Sequence, residues 1–409
     1  MQFDLFDHVA TVYAHAGSRP VVNEALYRNA ARLAGIPDNE MERRTPVGQS
    51  QQEHSLLKRK VRWHQQTLKK LGLLERADRG TWQLTEAGKQ KLCRIEASVA
   101  LLGYSTDLGI CIWGSAERVF SRLDRPITLC VTSPPYLLRK PRAYGNPQEE
   151  REYIDFICRV IEPIVKNLVD GGSVCLNISN DVFEAGSPAR SMYVERLLIA
   201  LHDKLGLHLM DRLVWHNPSK PPGPVHWASI KRVHLNVAYE PVYWLTNNPH
   251  RVRADNRRVL QEHTEAHLKL IRGGGEQRDA SFCDGAYSIR AGKSFANQTA
   301  GKIPRNILAY GHACGNKRQA IARAKELGLP VHGATMPLGL AKFLIQFLTT
   351  EGDDELVAEP FGGWNTTGLA AEMLGRPWVT TEVMREYVRG GAERFTGAQG
   401  FLSGLNTKG

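Results

Sequence analysis

Strand-like and helix-like segments alternate along the chain from about Leu101 onward. ITLCVTS and SVCLNIS are short apolar runs typical of buried strands, and the stretch from Glu149 to Val169 between them carries apolar residues at helical spacing. A buried strand, a helix and a second buried strand in this order indicate a sheet whose faces are covered by helices. We therefore expect residues 98–409 to fold as an α/β domain with a doubly wound sheet.

Charge and composition restrict the partners and the compartment. The 409 residues carry a formal net charge of +11, which favours a polyanion such as nucleic acid, although a merely basic enzyme has the same composition. The seven cysteines include no CxxC pair, so they predict reduced core residues and neither a disulfide framework nor a zinc site. The acidic residues in MQFDLFDHVA and the lack of a membrane-length apolar run predict a cytoplasmic protein without a membrane partner.

Residues 1–97 predict a separate α+β domain. Asn23–Leu33 and the basic stretch SLLKRKVRWHQQTLKKLGLL have helical spacing, GIPDNEMERRTPVGQSQQ between them predicts a loop, and ERADRGTWQL predicts a hairpin. The pattern KKLGLLER…GTWQLTEAGK resembles the winged helix-turn-helix modules attached to some restriction-modification proteins. The resemblance implies DNA contact or dimerisation. We favour DNA contact through Lys58, Arg59 and Arg62, and a homodimer stays open.

The motif Thr132-Ser133-Pro134-Pro135-Tyr136 directly follows a predicted strand. Its two prolines stiffen the turn and leave carbonyl oxygens without matching N–H donors, so acceptors can point into a pocket. Acceptors on both hydrogens of a base amino group favour a pyramidal, nucleophilic nitrogen, and Ser133 Oγ with the Pro134 carbonyl provides such a pair. Tyr136 offers a ring face for a base extruded from the duplex. The alternative is a plain strand-ending turn.

A glycine-rich turn between a predicted strand and a predicted helix forms a second candidate site. Its sequence is Ala358-Glu359-Pro360-Phe361-Gly362-Gly363-Trp364-Asn365-Thr366-Thr367-Gly368. Ligands bind at such turns in doubly wound sheets, and small residues let the backbone approach a cofactor. The N-terminus of the following helix favours a carboxylate such as that of methionine. The next strand ends at Glu382, where an acid typically accepts hydrogen bonds from ribose hydroxyls.

Three motifs of the C-terminal region together resemble one enzyme family. EPFGGWNTTGLAAEMLGRPWVTTEV resembles the cofactor motif of the amino-methylating DNA methyltransferases, TSPPY resembles their catalytic motif, and HGATMPLGLAKFLI resembles their segment that supports the methionine part of the cofactor. VAYEPVYWL and GKIPRNIL also match pieces of this family, so the resemblance covers most of Leu101 to Phe395. The catalytic motif precedes the cofactor motif, which is the circularly permuted order of the β class. The serine in SPPY is the form usual in cytosine-N4 enzymes.

The resemblance implies a Rossmann-like fold, S-adenosyl-L-methionine as cofactor and no metal. The expected reaction is site-specific methyl transfer to N4 of a flipped cytosine in double-stranded DNA. A cognate restriction endonuclease and a bacterial, nucleoid-associated location follow from the same resemblance. The cofactor-binding residues that it implies are Glu359, Phe361, Gly362, Gly363, Asn365, Thr366, Thr367, Glu382, Thr335 and Pro337.

The basic, glycine-rich stretch 251–303 falls where this family keeps its target-recognition region. Its positive charge suits contacts with phosphates and grooves. The cations expected to make these contacts are Arg253, Arg257, Arg258 and Arg272. A second stretch, from His216 to Trp227, predicts a loop near the DNA or the active site, and we favour this role over a metal site at its histidines.

Five positions depart from the family pattern. They are Glu359 for aspartate, Asn365 for the second glycine, Trp364 for a small residue, Gly333 for proline and Ser115 for aspartate. If position 365 requires a positive φ, asparagine is the most tolerable replacement for glycine. Two other functions remain open: an adenine-N6 methyltransferase on the same scaffold, and a catalytically degenerate methyltransferase fold that acts as a DNA-binding regulator.

Overall fold

The computed structural model describes most of the chain. The described residues are 5–16, 19–47, 52–70, 72–85, 88, 99–137, 147, 149–312, 314–327, 329, 331–332, 335–352 and 354–404. The predicted domain boundary at residues 97 and 98 and the position of Gly333 lie outside them. In this part of the chain no helix is long and apolar enough to cross a membrane, and no three or more His, Cys, Asp or Glu side chains cluster as metal ligands.

The N-terminal region combines helices with short strands. The helices are α1 (Leu5–Ala16), α2 (Asn23–Leu33), α3 (Asp38–Glu42) and α4 (Leu56–Lys70), and the strands are β1 (Val21–Val22), β2 (Arg44–Val47), β3 (Gln52–Ser55), β4 (Leu74–Asp78) and β5 (Thr81–Leu84). The helix over Asn23–Leu33, the basic helix and the hairpin are confirmed. The loop predicted between the two helices is wrong in part, because it contains α3 and the antiparallel pair β2–β3.

Amphipathic spacing explains why α4 forms. Val61, Gln65 and Leu68 recur every three or four residues and are buried, so one face of the helix packs into the N-terminal core. That core includes Tyr13, whose hydroxyl accepts a hydrogen bond from Gln65 at 2.7 Å, and Trp82 of the sheet β1-β5-β4. The basic residues of α4 therefore lie outside this buried face.

The C-terminal region alternates strands and helices as predicted. The strands are β6 (Ala100–Ser105), β7 (Gly109–Gly114), β8 (Ile127–Thr132), β9 (Leu168–Asn177), β10 (His208–His216), β11 (Tyr239–Thr246), β12 (Ala280–Phe282), β13 (Tyr287–Ile289), β14 (Ile307–Ala309), β15 (Val357–Glu359), β16 (Trp378–Glu382) and β17 (Leu402–Ser403). The helices are α5 (Ala116–Phe120), α6 (Glu150–Lys166), α7 (Tyr193–Leu205), α8 (Glu265–Arg272), α9 (Gly315–Glu326), α10 (Leu338–Leu348), α11 (Thr366–Met373) and α12 (Arg385–Ala392). A π-helical turn spans Val225–Ile230, and 3-10 turns span Pro249–Arg251, Asn256–Val259 and Cys283–Gly285.

Ten of these strands form one mixed sheet in the order β14-β10-β11-β9-β8-β15-β16-β7-β6-β17. From β9 to β7 the neighbouring strands are parallel, whereas β11 is antiparallel to both β9 and β10. Strands β8, β9, β15 and β16 therefore end at one edge of the sheet, which we call the carboxyl edge. The end of β10 and the start of β11 lie at the same edge, because His216 pairs with Tyr239.

Buried side chains on both faces of the sheet produce two cores. All six residues of β8 are buried; Leu129 and Val131 pack with α10, while Ile127 and Cys130 pack with α6 and α7. A strand that is buried on both faces has a continuous apolar sequence, which is the reason that ITLCVTS was recognisable. The doubly wound α/β fold expected from the sequence is confirmed.

Candidate active site

The two predicted motifs lie side by side at the carboxyl edge. Strand β8 ends at Thr132, immediately before the SPPY turn, and β15, its parallel neighbour, ends at Glu359, where the glycine-rich loop begins. The Thr132 hydroxyl donates a hydrogen bond to Glu359 Oε1. A group bound in the SPPY turn and a group bound in the glycine-rich loop are therefore neighbours.

Glu359 holds the start of the glycine-rich loop. Besides the bond from Thr132, its carboxylate accepts hydrogen bonds from the Phe361 amide at 3.0 Å and the Thr367 hydroxyl at 2.8 Å. The side chain is 5% exposed, and this burial raises the pKa of Glu359 to about 7 although the three hydrogen bonds lower it. All these partners belong to the loop or the adjacent strand, so the structure gives Glu359 a role in positioning the loop.

The Tyr136 hydroxyl is fixed by acceptors from two other strands. It donates a hydrogen bond to Glu240 Oε2 at 3.0 Å, and Asn177 Oδ1 and Ser133 Oγ lie 3.4 and 3.3 Å from it. Burial, followed by the negative charge of Glu240, raises the pKa of Tyr136 well above its usual value. The tyrosine is therefore neutral, and its ring has one orientation next to Ser133.

Glu240 is a site residue that the sequence reasoning missed. It lies in β11, within the segment VAYEPVYWL, and forms an ion pair of 3.1 Å with Lys220. The available signal was an acidic residue inside an otherwise apolar strand. Nothing in the local sequence indicates that Tyr136, 104 residues earlier, is its partner.

The structure explains the departure from glycine at position 365. Asn365 adopts the left-handed conformation, with φ 52° and ψ 54°, and precedes α11. Its Oδ1 caps the helix by accepting from the Gly368 amide at 2.9 Å, and its Nδ2 donates to the Tyr104 hydroxyl at 2.8 Å. Position 365 thus has a positive φ, at which asparagine is the most tolerable replacement for glycine, and the side chain adds two hydrogen bonds that glycine lacks.

The Trp364 side chain does not disturb the backbone of the loop. It is 1% exposed and packs with Ala324 and Leu329, on the segment that contains α9. Opposite it stands Gly390 of α12, where a Cβ atom would lie 2.6 Å from Trp364 Nε1. A large residue is therefore accommodated because the loop packs against α9 and a glycine of α12.

Glu382 at the end of β16 is bound to the same loop. Its Oε2 accepts from the Gly363 amide at 2.8 Å and its Oε1 from the Met384 amide at 2.7 Å. These two bonds orient the carboxylate beside the glycines. Its predicted contact with ribose hydroxyls stays a prediction.

Unpartnered polar atoms around the glycine-rich loop suit a polar cofactor. Within the described residues, His332 Nδ1 and Trp364 Nε1 are buried without a hydrogen-bond partner. A Cβ atom at Gly363 would lie 2.9 Å from His332 Nε2, so the histidine stands directly against the loop. Burial lowers the pKa of His332 to about 4, which keeps it neutral. Buried polar groups normally have partners, and the amino, carboxylate and hydroxyl groups of S-adenosylmethionine fit this need.

The other predicted cofactor residues follow the same edge. Thr366 and Thr367 begin α11, Phe361 and Gly362 lie in the loop, and Pro337 precedes α10 with Thr335 two residues before it. Gly362 approaches β16 so closely that a Cβ atom would lie 2.3 Å from Thr380 Oγ1. The sequence-predicted cofactor residues are thus brought to one edge, although their contacts with a cofactor stay predictions.

The cations at the start of the 251–303 stretch do not face the active site. Arg258 donates to the backbone carbonyls of Arg253 and Thr349 at 3.1 and 3.0 Å, and Arg253 forms an ion pair of 3.1 Å with Glu355. Glu355 lies just before β15 begins, at the edge of the sheet opposite Ser133. Arg253 and Arg258 therefore anchor the chain at the edge of the sheet away from Ser133, and their contacts with DNA stay predictions.

The remaining predicted DNA contacts differ in their exposure. Arg257 pairs with Asp255 at 2.6 Å, and Arg272 lies 3.7 Å from Glu265, although both arginines are exposed. In α4, Lys58 forms ion pairs with Glu42 at 2.6 Å and Glu24 at 3.5 Å, and its side chain is 18% exposed. Arg59, Arg62 and Trp63 of the same helix are exposed. Lys58 therefore has carboxylate partners within the N-terminal region, and its contact with DNA stays a prediction.

The fold and the site define a class of protein. A doubly wound mixed sheet in which β11 and β6 run against the other strands, an SPPY turn and a glycine-rich loop followed by an acidic strand end are the parts of a methyltransferase that acts on an amino group. The profile of the DNA methylase family matches residues 127–393, and the chain belongs to this family. A second profile, that of the Mrr N-terminal domain, matches residues 8–94.

Individual relatives agree with this membership. The type II methyltransferase M.PvuII of Proteus hauseri is 34% identical over 293 residues, which cover 71% of this chain and 85% of the relative. M.BglII of Bacillus subtilis is 22% identical over 267 residues, or 65% of this chain and 62% of the relative. The solved structure of the PvuII DNA methyltransferase (cytosine-N4-specific) matches with a TM-score of 0.55 and 29% identity over 71% of this chain and 87% of that one.

Family membership confirms three predictions. The chain belongs to the predicted family, it is a DNA methyltransferase, and its cofactor is S-adenosyl-L-methionine. The additional N-terminal module is confirmed as well, by the match to the Mrr N-terminal domain.

Proposed function

We propose that this DNA methyltransferase modifies N4 of cytosine in duplex DNA after the base has left the stack. The observation that carries the proposal is the adjacency of the SPPY turn and the glycine-rich loop on the neighbouring strands β8 and β15. Cytosine N4 is supported by the serine of SPPY and by the similarity to the PvuII enzyme, which is described as cytosine-N4-specific. Flipping is needed because a base amino group inside the duplex is out of reach.

The residues of the SPPY turn orient the amino group. Ser133 Oγ and the Pro134 carbonyl accept its two hydrogens, Pro135 stiffens the turn, and the ring of Tyr136 supports the base. S-adenosylmethionine supplies an electrophilic methyl group on its sulfonium. Glu240 holds the hydroxyl of Tyr136, so the ring does not need to be ordered when the base arrives. With the cofactor bound, the amino nitrogen would form a bond to the methyl group as the bond between that methyl and the sulfur breaks; S-adenosylhomocysteine would leave, and one amino proton would pass to solvent.

Two alternative functions are weaker on structural grounds. An adenine-N6 enzyme would use the same scaffold, but the serine at position 133 and the PvuII similarity both favour cytosine. A degenerate regulator was suggested by Trp364 and Asn365. The loop geometry accounts for both residues without loss of the site, so this reason no longer applies.

The N-terminal region provides a second contact with DNA in this proposal. Arg59 and Arg62 lie four residues and one residue before the 65% exposed Trp63 on α4, on the side of the helix away from its buried residues. Exposed arginines around an aromatic ring suit a DNA backbone. A homodimer, a cognate restriction endonuclease and a nucleoid location remain predictions from the family resemblance.

The test is a methyl-transfer assay with nucleoside mass spectrometry. Purified protein is incubated with unmethylated plasmid and labelled S-adenosylmethionine, next to a Ser133→Ala variant and a Ser403→Ala control on the distant strand β17. We expect N4-methylcytosine with the wild type and the control, and a loss of at least about a hundredfold with Ser133→Ala, because an acceptor for the reacting amino group is removed.

Each other outcome overturns a defined part of the proposal. N6-methyladenine would retain the site but refute the choice of cytosine. Equal activity of Ser133→Ala would refute the role of the serine. No methylated base on DNA of diverse sequence, despite bound cofactor, would favour the regulator.

A further inference from the structure

The loop over residues 217–238 leaves the sheet beside the SPPY turn. It connects β10 to β11, and both of its ends lie at the carboxyl edge because His216 pairs with Tyr239. Lys220 of the loop forms an ion pair with Glu240, which in turn accepts the hydrogen bond from Tyr136. The loop is therefore attached to the catalytic turn through one continuous network.

Loop 217–238 carries positive charge and no acidic residue. It contains Lys220, Lys231 and Arg232 together with two histidines, and no Asp or Glu. Lys231 and Arg232 are exposed, and neither forms an ion pair within the part of the chain that the structure describes. Because the loop presents cations without counterions next to the active site, a polyanion is the partner that fits it.

Exposed apolar side chains are concentrated in the same loop. Val225, Ile230 and Val233 are 60%, 65% and 59% exposed, and Leu235 is 88% exposed. A soluble protein rarely places several large apolar residues together in solvent without a partner for them. Apolar side chains between cations match the way in which proteins enter a stack of bases while binding the flanking phosphates.

Internal hydrogen bonds give loop 217–238 a defined shape. The Asn217 amide donates to the Ala238 carbonyl at 2.9 Å and the Val237 amide to the Gly223 carbonyl at 2.8 Å, which closes the base of the loop. His234 Nε2 lies 2.7 Å from the Pro188 carbonyl, which fixes the residue before Leu235 to a neighbouring segment. Leu235 is therefore presented by a held backbone, so little ordering is required on binding.

We propose that loop 217–238 is the element that engages DNA at the target base, with Leu235 contacting the bases next to the space that the flipped base leaves and Lys231 and Arg232 binding the flanking phosphates. The inference rests on the proposed function. It replaces the start of the 251–303 stretch, which is anchored at the opposite edge, as the principal contact near the site. A protein partner is disfavoured because the cations and the SPPY turn share one edge.

The test compares three variants of the full chain. Leu235→Ser removes the apolar contact at an exposed position, and Lys231→Gln with Arg232→Gln removes both cations. Leu402→Ser is a matched control, since Leu402 is 66% exposed on β17, at the end of the sheet away from β10. Binding of fluorescein-labelled plasmid fragments is measured by anisotropy over a range of salt concentrations. Cofactor binding by calorimetry and methyl transfer are measured on the same samples.

We expect the double variant to lower the slope of log affinity against log salt by about 2, one for each lost phosphate contact. Leu235→Ser should reduce methyl transfer at least about tenfold with cofactor binding unchanged, whereas Leu402→Ser should stay within about twofold of the wild type. Wild-type slopes and rates in both loop variants would overturn the inference, as would a larger effect of Leu402→Ser. If the loop variants lose affinity for DNA but the wild type methylates no base, the inference stands and the proposed reaction fails.

Discussion

Replacement of Asn365 tests how the cofactor loop is stabilised. Asn365→Gly restores the glycine usual in the family and permits φ 52°, but it removes both side-chain hydrogen bonds. Asn365→Ala removes the same bonds and also places a Cβ atom in the left-handed region. The difference between the two variants therefore isolates the conformational cost from the cost of the lost bonds.

The magnitudes follow from the two contacts. Loss of the cap costs only a few tenths of a kcal/mol when glycine replaces asparagine. The Tyr104 hydroxyl, in a residue that is 0% exposed, loses its hydrogen bond from Asn365, which costs about 1–3 kcal/mol. We expect Asn365→Gly to lower the free energy of unfolding by about 2 kcal/mol. Asn365→Ala should lower it by about 1–2 kcal/mol more than Asn365→Gly does, because alanine is disfavoured at positive φ.

Urea unfolding followed by tryptophan fluorescence measures both values, since six of the eight tryptophans follow residue 99. Asn297→Gly is the control: this asparagine is exposed, and its replacement should change the free energy by less than about 0.5 kcal/mol. Wild-type stability in Asn365→Gly would refute the contribution of the bond to Tyr104. Equal stability of the glycine and alanine variants would refute the cost assigned to the left-handed backbone.

Three further changes probe the site and its surroundings. Glu240→Ala should lower kcat about tenfold or more while cofactor binding is unchanged, because a hydrogen bond to a charged group contributes about 1.5–3 kcal/mol and this one fixes Tyr136. Glu240→Gln keeps an acceptor and should recover most of the rate. Equal loss of kcat in the two variants would contradict this role. Trp364→Ala should lower the free energy of unfolding by about 3–5 kcal/mol through the cavity that it leaves, and a loss under about 1 kcal/mol in urea would contradict the packing argument. Burial raises the pKa of Glu386 to about 8, above the ordinary 4.5, so the folded protein holds the extra proton and its stability falls as the pH rises through this range. Between pH 7 and 8, above the pKa of Glu359, the fall should be about 1 kcal/mol and absent in Glu386→Gln; an unchanged slope in that variant would refute the assignment.

The contrast between local and distant contacts explains which parts of the site were predictable. Ser133, Glu359 and Asn365 belong to motifs that are contiguous in sequence, and a motif at the end of a strand can be placed at the edge of a sheet without coordinates. The partner of Tyr136 is different, because Glu240 reaches it only when β8, β9 and β11 lie in register. No periodicity in the sequence specifies that register.

Charge patterns were the least reliable guide to function. The sequence shows that Lys58, Arg253 and Arg258 are basic, but a lysine or arginine has the same letter whether it binds a phosphate or an internal carboxylate. The fold pairs Lys58 with Glu42 and Arg253 with Glu355, and it directs Arg258 to backbone carbonyls. The basic residue type alone therefore does not specify a contact with DNA.

The sequence by itself determined the alternation of strands and helices in the C-terminal region, the presence of the two motifs and their positions at strand ends. These features depend on neighbouring residues, whose periodicity and backbone preferences are encoded locally. Only the tertiary structure decided that Trp364 packs against α9, that Glu240 fixes Tyr136 and that Lys220 of loop 217–238 pairs with Glu240. Such contacts join residues far apart in the chain, and they are set by the direction and register of strands in the sheet.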